Sequence, residues 1–190
     1  TLGDMIKVPG SYGSLQDARS KGADVRYVYS PLDCIKIANN NPNKKIIFFA
    51  IGFETTTPMT TVLIQNTIKQ NIKNLFFHIN HITVSEPMRA LLDDKENNID
   101  AFIGPSHVSV ITGAKIYEEF PKNYMKPVVV SGFEPVDVMQ SVYMITKQVV
   151  ENRCELEVQY SRSVKYEGNI VAQKLNEKYF EKRESFRWRG

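Results

Sequence analysis

The strongest constraint in this 190-residue chain is an alternation of short, nearly unbroken apolar runs with segments of helical period. The runs are DVRYVYS (24–30), KIIFFAIG (45–52), NLFFHIN (74–80), DAFIGP (100–105) and PVVVSG (127–132). Continuous β-branched and aromatic runs of this length suit strands covered on both faces, as in a parallel sheet. Between them, LQDARSKG, DCIKIANNN, MTTVLIQNTIKQN, EPMRALLDDKEN, VSVITGAKIYEEF and VDVMQSVYMITKQVVENR place apolar residues with the period of a helix. Strand alternating with helix predicts an α/β fold with right-handed crossovers.

Helix starts are marked by proline at positions where a missing N–H costs nothing: Pro58 after three threonines, Pro135 after Glu134, Pro31 in Ser30-Pro31-Leu32-Asp33, and Pro87 in EPM. The expected architecture is two small Rossmann-like α/β lobes with parallel sheets facing a cleft, plus a helical C-terminal segment. Residues 1–58 form a partial first lobe and 59–71 a connecting helix. Residues 72–135 form the second lobe. Residues 136–190 are the return helix and a C-terminal segment packing on the first lobe through Leu175, Tyr179 and Phe186. The first lobe has only two clear strands, fewer than a stable doubly wound sheet wants, which points to a fragment of a longer protein.

Composition narrows the function class. The formal net charge is +3, and the whole excess falls after residue 152, where 9 Lys/Arg meet 6 Asp/Glu. A dense basic patch for nucleic acid is absent from that pattern. No apolar run has the length of a membrane span, and the first twenty residues lack a signal-peptide core. Cys34 and Cys154 have neither CxxC spacing nor neighbouring ligands, so reduced structural thiols and a cytoplasmic setting are expected.

In an open parallel sheet, ligands sit beyond the carboxyl ends of the strands. The unusual residues cluster in those places: Gly52-Phe53-Glu54-Thr55-Thr56, His78 and His81, Gly104-Pro105-Ser106-His107-Val108-Ser109, and Gly132-Phe133-Glu134. The tripeptide Gly-Phe-Glu occurs twice. In each copy glycine permits a tight turn, phenylalanine is expected to plug the core, and glutamate is left at the rim. For Glu54 and Glu134 two readings stand, an anion at the positive end of a helix or a functional carboxylate. Neither GFETTTP nor GPSHVSVITG is a phosphate-binding loop, and a glutamate at the helix mouth repels phosphate. His78 reads as a core residue. His81 is open between packing and site, and His107 is the histidine best placed for proton handling or metal ligation. Thr55, Thr56 and Ser109 offer hydroxyls for capping or for a polar ligand, with capping the simpler role. Cys34 reads as inert.

Taken in order, GDMIKVPGS (3–11), GADVRYVYSPLD (22–33), FFAIGFETTTP (48–58), IDAFIGPSHVSVITG (99–113), VVSGFEPVDVMQS (129–141) and QYSRSVKYEGN (159–169) resemble the HypD family of hydrogenase maturation factors across essentially the whole chain. The final RESFRWRG resembles that family's link into its last domain. The resemblance implies a platform that works with the small chaperone HypC. On it an iron carrying cyanide and carbon monoxide ligands, Fe(CN)2CO, is assembled for [NiFe] hydrogenases. It further implies two α/β lobes around a cleft and a C-terminal domain with a [4Fe–4S] cluster passing electrons towards that cleft.

The family's CGxHxH-type motif is expected before residue 1 and its cluster cysteines after residue 190. Neither Cys34 nor Cys154 inherits their role, so no metal ligand and no resident cofactor is expected in this chain. Carried over residue by residue, the resemblance assigns the cleft to Gly52, Glu54, Thr55 and Thr56, to Gly104, Pro105, His107, Val108, Ser109 and Gly113, and to Gly132, Glu134 and Asp137. His107 and Glu54 are expected to position or move protons around the iron's ligands.

The leading expectation is an assembly scaffold rather than a turnover enzyme, with HypC and other maturation proteins as partners and no nucleic acid or membrane. The alternative is a small-molecule or nucleotide-binding α/β enzyme or regulator using the same cleft. A folded but inactive fragment is a third reading.

Overall fold

Valines 128–130 are completely buried, and the strand they form lies between two parallel neighbours. In a computed structural model, which describes residues 1–183, β3 (Phe102–Pro105) pairs in parallel with β4 (Val128–Ser131). A further strand, β5 (Leu156–Val158), pairs in parallel on the other side of β4. Each fully buried aliphatic side chain stabilises by about 1.5–3 kcal/mol, which is why a central strand can dispense with polar alternation. A second sheet consists of β1 (Ile46–Gly52) and β2 (Leu75–His81). Both sheets are parallel and the fold is α/β, as expected.

The helices are α1 (Leu15–Ser20), α2 (Asp33–Asn39), α3 (Thr57–Lys69), α4 (Ser85–Asp93), α5 (Ser106–Thr112), α6 (Glu119–Asn123), α7 (Pro135–Val150) and α8 (Ile170–Tyr179), with short 3-10 turns at Gly3–Lys7 and Ala114–Tyr117. Pro58 and Pro135 both lie in the first turn of their helices. Ser14 and Asp17 cap α1 reciprocally, side chain to backbone in both directions.

Two compact units result. Among the described residues, the first comprises 1–51, 56–80 and 171–183; the second comprises 52–55 and 81–170. Residues 59–71, expected as a connector, are the body of α3 within the first unit, and 136–170 belong to the second. The first unit's core gathers Val28, Cys34, Ala38, Phe48, Ala50, Leu63 and Leu75. The second gathers Met88, Leu92, Ala114, Tyr117, Phe120, Val128, Val130 and Val164. Among the described residues no helix is long and apolar enough to cross a membrane.

Several sequence expectations are corrected. DVRYVYS is not a strand: among the described residues only Val28 bridges, to Leu2, and the chain after Leu2 turns at once into the 3-10 helix Gly3–Lys7 instead of running on alongside. The segment 108–120 is not one helix. Gly113, at φ +82°, ends α5 in a conformation an L side chain rarely adopts. Strand β5 is not legible in the sequence, because LEV is only three residues long and has an acid at its centre. Strand β2 is not covered on both faces, as Phe76, His78 and Ile79 are exposed. In α8, Leu175 and Tyr179 are half-buried; Phe186 and the end of RESFRWRG lie outside the described residues.

Candidate functional site

The parallel pairing of β3 and β4 sets Pro105 opposite Ser131, so the segments that follow leave from adjacent strand ends. Strand β3 passes directly into α5, whose second residue is His107; the loop after β4 enters α7 and carries Gly132, Phe133 and Glu134. Their side chains meet: the His107 and Phe133 rings are 4.8 Å apart at their centroids, tilted by 45°. Both residues are exposed, so the imidazole is accessible at the edge of an aromatic face.

That arrangement revises one reading of the Gly-Phe-Glu motif. Neither phenylalanine plugs the core, since Phe53 is 42 % and Phe133 66 % exposed. Phe133 stands outside, against His107, because residues 132–137 are drawn inward at their two ends instead. Asp137 is buried and accepts Arg162 Nη2 at 2.6 Å on Oδ2, while its Oδ1 accepts Arg162 Nη1 and Gln159 Nε2 at 2.9 Å each. Gly132 N–H donates to Gln159 Oε1 at 3.2 Å. A Cβ on Gly132 would lie 2.1 Å from Asp137 Oδ2 and 2.4 Å from Tyr160 Cδ2, so only glycine fits. The Arg162 guanidinium beside Asp137, followed by the Gln159 amide, holds that carboxyl below the usual carboxylate range. Arg162 also covers the Tyr160 ring at 4.0 Å and reaches exposed Glu134 at 3.2 Å.

The first Gly-Phe-Glu copy does something different with its carboxylate. Glu54 Oε1 accepts the Val84 N–H at 2.9 Å, and Val84 is the residue that opens α4. Glu54 therefore caps a helix, but one thirty residues on and not the α3 that follows it in sequence. Such a cap is worth about 0.5–2 kcal/mol. Nearby, the Gly52 carbonyl accepts the Ile82 N–H. His81 is half-buried, and burial lowers its pKa while a hydrogen bond to Gly52 opposes that shift. Burial pushes the phenol of Tyr117, fully enclosed in the core, up to about 12; the Ser109 hydroxyl opposes this and the Glu54 carboxylate adds to it.

The remaining residues divide by burial. Ser109 is completely buried and donates to Pro105 O at 2.8 Å, and Val108 is core. Gly104 is buried on β3, and Pro105 precedes α5. Gly113 is pressed against the backbone of Tyr166, Glu167 and Gly168. Thr55 and Thr56 are half-buried, and Thr56, although it precedes α3, does not cap it with its side chain. His78 is not a core residue; it is exposed and stacks on Phe49 at 5.0 Å and 12°. Arg162 and Gln159 were not singled out from sequence. The only signal was the stretch QYSRS itself, because their partner Asp137 lies 25 and 22 residues away.

Among the described residues no group of three or more His, Cys, Asp or Glu side chains converges to hold a metal. A [4Fe–4S] cluster takes four thiolates, and the two cysteines here do not fit one. Cys34 is buried in the first unit's core, and Cys154 in the second unit directs its Sγ to Pro121 O at 3.6 Å.

Comparison with known proteins matches residues 1–190 to the family described as HypD, hydrogenase formation hypA family. The chain is 47 % identical over 190 residues to the hydrogenase maturation factor HypD of Rhodobacter capsulatus, covering 100 % of this chain and 50 % of that protein. It is 46 % identical over 195 residues to HypD2 of Bradyrhizobium diazoefficiens (99 % of this chain, 51 % of that protein). Against HypD of Escherichia coli it is 42 % identical over 190 residues (100 % and 51 %). The chain thus spans about half the length of the curated relatives it matches.

Proposed function

The chain belongs to the HypD family of hydrogenase formation proteins, and on that premise we propose that it serves [NiFe] hydrogenase maturation as an accessory scaffold. In this reading it works with HypC, and an iron bearing cyanide and carbon monoxide is the cargo assembled on the complete protein. The setting is the cytoplasm, where both thiols stay reduced. The [4Fe–4S] cluster of the family, when bound, would supply electrons; its ligands are not among these residues, and no role here depends on it.

One observation carries the reading: His107, from a stretch that bears the family resemblance, is exposed beside Phe133 at the ends of two adjacent parallel strands. An imidazole there can donate or accept a hydrogen bond to a group held at the strand ends. Glu54, fixed by its bond to the start of α4, positions backbone. The nucleotide-binding alternative meets acidic loops, with Glu134 and Asp137 at the mouth of α7 where a phosphate would need a free positive helix end.

The test uses the full-length protein with His107→Ala. Circular dichroism and copurification with HypC are expected to be retained while hydrogenase maturation is lost. Normal maturation by the folded variant would remove His107 from the mechanism.

A further inference from the structure

The segment Gln159–Asn169 reaches both the loop that carries Phe133 and α5, the helix that carries His107. At its start, Gln159 and Tyr160 donate their N–H groups to Val130 O on β4, at 2.9 and 3.2 Å. The Gln159 side chain takes the Gly132 N–H, and Arg162 grips Asp137 through both guanidinium nitrogens. These bonds bracket Phe133 on both sides. Further along, Val164 is buried in the second unit's core.

The same segment then holds the far end of α5, the helix that carries His107. Ala114 N–H donates to Lys165 O at 3.3 Å, Lys115 N–H to Tyr166 O at 3.2 Å, and Asn169 N–H to Ile111 O at 3.0 Å. Gly113 and Gly168, both at positive φ, cross so closely that a Cβ on either would lie 2.2 Å from the other strand of chain. Lys115 Nζ and Glu167 add an ion pair at 2.7 Å.

We infer that this segment is a strap that sets the geometry of the His107–Phe133 pair, with Arg162 as its positioning residue. Arg162 reaches the pair through the side chains of Asp137 and Glu134 and the backbone of residues 132–137. A bidentate fork on a buried carboxylate fixes direction as well as distance, which a lysine could not do. The importance of the pair for maturation rests on the function proposed above; the positioning itself does not.

Imidazole NMR of the chain, which contains three histidines, tests this without reference to maturation. His107→Gln assigns the His107 resonances, and Phe133→Leu defines the part of their shift that the ring causes. Arg162→Gln is expected to remove at least about half of that ring-dependent shift, leaving the His78 and His81 signals in place. Should Arg162→Gln fail to fold because it strands a buried carboxylate, the double variant Asp137→Asn/Arg162→Gln carries no such charge and is expected to show the same loss. A folded variant of either kind with the parent's His107 shift overturns the strap. Normal maturation by His107→Ala would instead overturn the functional reading and leave the strap standing.

Discussion

Glu54 Oε1 accepts the Val84 N–H at 2.9 Å, so a carboxylate at the end of β1 closes the start of α4. Glu54→Gln keeps the acceptor oxygen and is expected to unfold within about 0.5 kcal/mol of the parent, whereas Glu54→Ala loses about 0.5–2 kcal/mol. Urea unfolding of both variants checks this. Equal losses in the two would mean that charge rather than the hydrogen bond holds the site.

Asp137 gives the fold a pH dependence with a fixed sign. Its folded-state pKa lies below the ordinary value, chiefly through Arg162. The contribution is therefore fully present above the unfolded value of about 3.9 and is lost as pH falls through the folded value. Asp137→Asn is expected to lower the unfolding midpoint at neutral pH, by an amount that shrinks below about pH 4. A deficit of constant size down to the acid transition would contradict the ion-pair account.

The two strand-end glycines of the second unit should respond differently to alanine. At Gly132 a Cβ meets Asp137 Oδ2 at 2.1 Å, so Gly132→Ala is expected to cost about 1–3 kcal/mol or more. At Gly104 the nearest atoms, in Tyr117 and Val130, are 3.5 Å away, an ordinary contact, and Gly104→Ala should stay close to the parent. Chemical denaturation of the pair decides it, and matching costs would refute the crowding argument.

Cys34 is buried in the first unit, and burial pushes its thiol up to about 11. Since only the thiolate alkylates, iodoacetamide near neutral pH should leave Cys34 unmodified in the native protein and label it once denaturant is added. Peptide mass mapping reads the result; native labelling of Cys34 would show that the core around α2 opens readily.

Phe120 is completely buried and packs against Phe102, Tyr117 and Tyr124. Phe120→Ala is expected to destabilise the second unit by about 3–5 kcal/mol. A loss below about 1 kcal/mol would show that the rings around it close the cavity.

What the sequence alone determined is whatever neighbours along the chain decide. Val128–Val130 announced a buried strand, Pro58 and Pro135 announced helix starts, and the ordered motifs carried the family. Tertiary structure decided the rest, because the deciding partners are remote. DVRYVYS has strand-forming residues but gains no ladder, since pairing needs a neighbour that composition cannot supply. The two Gly-Phe-Glu copies are identical as text, yet Glu54 caps α4 while Glu134 stays exposed beside Arg162, and both phenylalanines face outward. Local periodicity reports which side of an element is apolar. Which carboxylate meets which donor across 25 or 30 residues is fixed only when parallel strands bring their ends side by side.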